Sequence, residues 1–230
     1  MFKGVLFDLD DTLYDASLQL EMARMNAVKA MLEAGLPVDV EKAFKTLNEV
    51  VEEYGRHYPK HFDRMLERLG VKWDAKIIAA GVVAYRETSW AFLKPYPDTI
   101  PTLLTLRDHG YRIGLVSGGD PVKQWQKLIK INVHHLLHGV VMTRELGRDR
   151  IDENILLAAL EDLKLKPGEA ILVGGGASGG IAEANVLGMT TVRLRRKPHQ
   201  EEKGEAAPTH EIDRLSDLLK IIKSNLSENL

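Results

Sequence analysis

The chain has 230 residues, enough to bury a sizeable core in one or two domains, and is 44% hydrophobic and 28% charged. A formal net charge of -2 gives no strong draw to nucleic acid or an anionic membrane, and the lack of cysteine excludes disulfides, thiol chemistry and cysteine metal sites. The chain opens without a signal-peptide pattern, and no apolar run approaches the roughly 20 residues of a membrane helix, so a cytoplasmic protein is expected.

The first predicted element is a short buried strand over 5–7, and it runs straight into two carboxylates, Asp8 and Asp10. Alternate strand residues share a face, so the pair converges if strand geometry persists and diverges if the backbone bends. Two acids at the carboxyl end of a central strand lie where open α/β sheets bind ligands. One can attack a phosphorus centre while the other handles protons.

Apolar spacing then predicts four helices, over 18–34, 41–54, 60–69 and 75–92, punctuated by Gly35, Pro37, Pro59 and Gly70. A helix over 99–109 follows, and a strand over 112–116 ends at Ser117-Gly118-Gly119-Asp120 just before a helix opened by Pro121. A hydroxyl and free N–H groups at a helix start suit a phosphate. Strands over 139–142, 170–173 and 190–194 alternate with helices over 153–163 and 181–187. A polar loop over 195–208 and a closing amphipathic helix over 212–222 complete the pattern. This alternation predicts a doubly wound parallel α/β sheet with an inserted all-helical domain.

Asp8, Asp10 and Thr12 match the D-x-D-x-T of the haloacid dehalogenase superfamily, and the chain as a whole resembles its branch with a helical cap after the first motif. The resemblance implies a core of 1–14 and 94–230 and a cap of 15–93. It implies Asp8 as nucleophile and Asp10 as acid and base, in a phosphatase rather than a dehalogenase, whose second Asp position is usually aromatic. Thr12, Ser117 and Gly118 are implied to bind the phosphoryl group of a small phosphorylated substrate.

The chain departs from the family at two motifs. Where the third has Gly-x-x-Lys-Pro, Gly147-Arg148-Asp149-Arg150-Ile151 aligns Arg150 with the lysine, which implies that Arg150 also binds the phosphoryl group, keeping the charge but as a planar fork. Where the fourth has Gly-Asp followed by a second Asp, Gly175 and Gly180 stand in place of the acids that anchor magnesium. A weakened Mg2+ site, left to Asp8 and Asp10, is expected, and Gly175→Asp, alone or with Gly180→Asp, is expected to restore it. Two alternatives stand beside the phosphatase: an inactive phosphate-binding member of the fold, and an NADP-type module using Gly174 to Gly179 with Arg193, Arg195 and Arg196.

Overall fold

A computed structural model describes residues 1–56, 58–175, 179–196 and 206–227 of the chain. The chain forms two compact units, Met1–Asp15 with Lys94–Leu230, and Ala16–Leu93.

The first unit is built on six parallel strands: β1 (Gly4–Phe7), β2 (Arg112–Ser117), β3 (Gly139–Met142), β4 (Ala170–Gly174), β5 (Thr190–Leu194) and β6 (His210–Ile212). Their order is β3-β2-β1-β4-β5-β6, so successive connections run outward in opposite directions from β1. That reversal opens a crevice at the carboxyl ends of β1 and β4. Strand β1 is buried throughout, as expected of a central strand covered on both faces. Leu6, in register with Gly114 and Leu172, packs with Val116, Ile155, Leu156 and Leu160 on one face, and strand alternation sends Val5 and Phe7 to the other.

Helices α5 (Thr99–Asp108), α6 (Pro121–Lys130), α7 (Glu153–Asp162), α8 (Ile181–Val186) and α9 (Leu218–Ser227) complete this unit, and the four earlier helices belong to the other. The predicted helix over 212–222 does not form as drawn. Its first residue is the last of β6, which pairs Val192 with His210 and Leu194 with Ile212. The turn Leu215–Asp217 then precedes α9, with Leu215 N–H donating to Asp98 at 2.8 Å. A three-residue edge strand carries too little alternation to be separated from the helix that follows it.

The second unit holds α1 (Ala16–Glu33), α2 (Val40–Tyr54), α3 (His61–Arg68) and α4 (Ala75–Phe92). Asp39 caps α2 by accepting from Lys42 N–H at 2.7 Å, and Asp74 caps α4 by accepting from Lys76 and Ile77 N–H. Its own core gathers Val28, Met31, Leu47, Met65, Leu66 and Ile77. Between α1 and α4, the buried Gln19 amide donates to Ser89 O and Oγ at 2.9 and 3.0 Å. Among the described residues, no helix is long and apolar enough to cross a membrane.

Candidate active site

Strand geometry does not persist past Asp8. Asp11 takes a left-handed conformation (φ 58°), which Asp tolerates better than most residues, and Leu13 N–H closes back on Leu9 O at 3.0 Å. The turn gives the two acids different surroundings. Asp8 is 5% exposed, and its Oδ1 accepts from Leu9 N–H at 2.7 Å. Asp10 lies at the edge of the turn, its side chain 31% exposed.

Burial pushes the Asp8 carboxyl up to about 7, and the charge of Asp10 adds to the rise; the Leu9 N–H and the Lys127 ammonium oppose it. Asp10 is held from two sides. Tyr14 Oη donates to its Oδ1 at 2.7 Å, and Lys127 Nζ donates to both oxygens at 2.8 and 3.0 Å. The buried Tyr14 phenol is pushed far above its ordinary range, by burial first and by Asp10 next, so it stays a donor. The Lys127 ammonium also stands 5.6 Å from the Tyr14 ring centroid.

The same turn carries Thr12 back towards β4, where its Oγ1 accepts from Gly175 N–H at 2.7 Å. Thr12 thus ties the ends of β1 and β4 together. Ser117, the last residue of β2, is 3% exposed, and the Gly118 carbonyl accepts from the Gln124 amide of α6. Asp120 caps α6 by accepting from Lys123 N–H at 2.9 Å, with Pro121 at the first helical position. The fully buried Thr143 hydroxyl, near Gly118, has no hydrogen-bond partner among the described residues.

Sequence reasoning places Asp8, Asp10, Thr12, Ser117 and Gly118 at neighbouring strand ends, and the parallel registers of β1 with β2 and β4 bring those ends side by side. Arg150 is different. Its side chain is exposed and makes no ion pair among the described residues, whereas Arg144 pairs with Asp149 and Arg148 with Asp152. The cation that reaches Asp10 is Lys127, which the motifs do not mark. Its one sequence signal is its place on the face of α6 that buries Gln124 and Leu128.

The two glycines of the fourth motif are packed shut against side chains. A Cβ at Gly175 would lie 2.3 Å from the Asp11 carbonyl oxygen, and one at Gly180 (φ 76°) would lie 2.7 Å from Ile151 Cγ2. No group of three or more acidic or histidine residues suited to a metal occurs among the described residues. Asp152 is occupied as the cap of α7, accepting from Ile155 N–H at 2.9 Å. With two carboxylates, one already held by an ammonium, this donor set does not fit the family's magnesium centre. The dinucleotide alternative loses its cations: Arg193 and Arg195 pair with Glu211, and Arg196 grips Asp98 at 2.7 and 3.1 Å. Residues 176–178 of that glycine run lie outside the described residues.

A model of the family described as haloacid dehalogenase-like hydrolase matches residues 2–188. The chain is 46% identical over 228 residues to a glyceraldehyde 3-phosphate phosphatase of Methanopyrus kandleri, covering 97% of this chain and 98% of that one. It is 37% identical over 224 residues to a protein of the same name from Methanocaldococcus jannaschii, at 97% and 98% coverage. Among solved structures it is similar to a haloacid dehalogenase-type phosphatase from Thermococcus onnurineus, with a TM-score of 0.66, 26% identity, and 96% and 98% coverage.

Proposed function

We propose that this chain, which belongs to the haloacid dehalogenase-like hydrolase family, hydrolyses the phosphomonoester of a small phosphorylated metabolite through an aspartyl phosphate on Asp8. The relatives named for glyceraldehyde 3-phosphate make that triose phosphate the first substrate to test. The observation that carries the reading is Asp8 itself, a buried carboxylate at the switch point of a parallel sheet with a second carboxylate two residues on.

An Asp8 carboxylate oxygen forms a bond to phosphorus as the bond from phosphorus to the ester oxygen breaks, and Asp10 gives that oxygen its proton. Water then adds to the phosphorus of the acyl phosphate and yields its proton to Asp10. Inorganic phosphate leaves and the Asp8 carboxylate reforms. Ser117, Gly118 and Thr12 border the phosphoryl group, the first by its hydroxyl and the second by the backbone that leads into α6. Arg150 contributes from a loop whose backbone at Asp149 approaches Gly118. Magnesium binds weakly, since Gly175 and Gly180 supply no side-chain oxygen where the family has its acids.

The test is turnover of p-nitrophenyl phosphate and glyceraldehyde 3-phosphate by the parent and Asp8→Asn proteins. The expected result is hydrolysis that falls at least about a thousandfold in the variant while its circular dichroism is unchanged. Undiminished turnover in Asp8→Asn removes the covalent mechanism. An inert parent that still binds inorganic phosphate makes the chain a phosphate-binding protein.

A further inference from the structure

Removing the acids of the fourth motif leaves a charge problem. A phosphoryl dianion must approach Asp8, itself an anion during attack, beside Asp10, which becomes a second carboxylate as it gives its proton to the ester oxygen. In this family a divalent ion would neutralise that cluster, yet the donor set does not fit one. The lysine of the third motif is Arg150 here, exposed and without an ion pair among the described residues.

The charge that is present comes from α6. Lys127 stands 117 residues from Asp10 in sequence, and its ammonium bridges both oxygens of that carboxylate at 2.8 and 3.0 Å. Three features hold it there. Asp120 caps α6, the Gln124 amide anchors the helix to the Gly118 carbonyl, and the Tyr14 ring stands 5.6 Å from the ammonium. Its side chain is 22% exposed, so the charge is largely withdrawn from water and correspondingly strong.

We infer that Lys127 is the resident counter-cation of this site, taking the place of the divalent ion, so that phosphate binding and turnover run without metal. The inference rests on the phosphatase reading for its turnover arm only. Lys127 touches Asp10 and acts through it, so it is a positioning residue. Arg150 lies outside this role, because a guanidinium on an exposed loop neutralises less than an ammonium already seated on Asp10. An ammonium on Asp10 and a divalent ion drawn to Asp8 and Asp10 compete for the Asp10 carboxylate, which gives the inference a signature that a purely structural lysine lacks.

The experiment uses the full chain, freed of metal by chelating resin, with Lys127→Met and Lys127→Arg beside the parent. Turnover of p-nitrophenyl phosphate is measured with and without millimolar magnesium, and inorganic phosphate is titrated calorimetrically without metal. The parent should be insensitive to magnesium within about twofold. Lys127→Met should lose about a hundredfold in metal-free turnover, the scale of deleting one preorganised charge contact, and should regain part of it with magnesium. Lys127→Arg should stay within about tenfold of the parent without metal, because it keeps the charge. A parent that needs magnesium, or a Lys127→Met protein unimpaired without it, overturns the inference. If the parent hydrolyses nothing under either condition, the phosphatase reading fails by itself and the titration decides: a tenfold loss of phosphate affinity in Lys127→Met supports the counter-cation, and equal affinity refutes it. Should Lys127→Met not fold, Lys127→Arg and Lys127→Gln give the same comparison.

Discussion

At Asp8, burial works against ionisation while a neighbouring ammonium works for it, and the balance leaves the carboxyl at about 7. Attack on phosphorus needs the carboxylate, so kcat/KM should rise with pH through about 7 and level off above it; a profile already flat from the acid side would show that Asp8 is not the group that limits turnover. Stability carries the same group with the opposite sign. The folded value is raised above the ordinary Asp value of about 4, so the stabilisation is fully present below about pH 4 and is lost as pH rises through about 7. Asp8→Asn should therefore lose less stability between about pH 5 and about pH 8 than the parent, measured by thermal unfolding. At Gly175 the constraint is steric. A Cβ there meets the Asp11 carbonyl oxygen at 2.3 Å, so Gly175→Ala should cost about 1–3 kcal/mol in denaturant unfolding. Gly175→Asp meets the same obstacle, and calorimetry should find no tight magnesium binding in it; tight binding would mean that the turn from Asp10 to Thr12 gives way easily.

The element that decides the site is α6, because its orientation sets where Lys127 points. Its start is fixed by Asp120 on Lys123 N–H and by Pro121 at the first helical position. Asp120→Ala should lower stability by about 1 kcal/mol and reduce metal-free turnover less than Lys127→Met does, since the Gln124 anchor remains. A larger loss than that of Lys127→Met would mean that the loop, not the lysine, matters most. How α6 came to matter also marks what the sequence conceals. The strands ending at Phe7, Ser117 and Gly174 are legible, because each is a short apolar run that stops at a small or acidic residue, and their alternation with helices prescribes parallel pairing. Strand β6 is hidden by its length, and Ile212 reads as the first residue of a helix. Lys127 is hidden for another reason: Lys123, Lys127 and Lys130 look alike along the chain, and only the tertiary approach of α6 to the turn after β1 singles one out. The crowding of Gly175 is likewise invisible, since a glycine in place of an acid reads as a lost ligand until the Asp11 carbonyl is seen against it.

Across the whole molecule, the chain leaves the sheet unit after Asp15 and re-enters it at Lys94. Within the sheet unit the two crossings are stitched together: Tyr14 forms a β-bridge with Pro95, and Leu13 O accepts from Tyr96 N–H at 3.0 Å and from Thr99 Oγ1 at 2.8 Å. The ends of the insertion are therefore adjacent, and shortening the segment between them lowers the entropy of closing it. Each unit also has its own hydrophobic core, around Leu6, Leu156 and Leu172 in one and around Met31, Leu47 and Met65 in the other. Replacing 16–93 by a short Gly-Ser linker should then leave a sheet unit that unfolds cooperatively on heating. If the helical unit is the cap that the family resemblance implies and it chooses the substrate, the shortened protein should still hydrolyse p-nitrophenyl phosphate slowly through Asp8. It should at the same time lose most of the parent's discrimination between glyceraldehyde 3-phosphate and larger sugar phosphates, because shape selection would have gone with the helices while the nucleophile and Lys127 remain. An aggregated product without a cooperative transition would show that the sheet unit depends on the helical one, and a folded product with undiminished selectivity would place substrate choice in the strand-end loops instead.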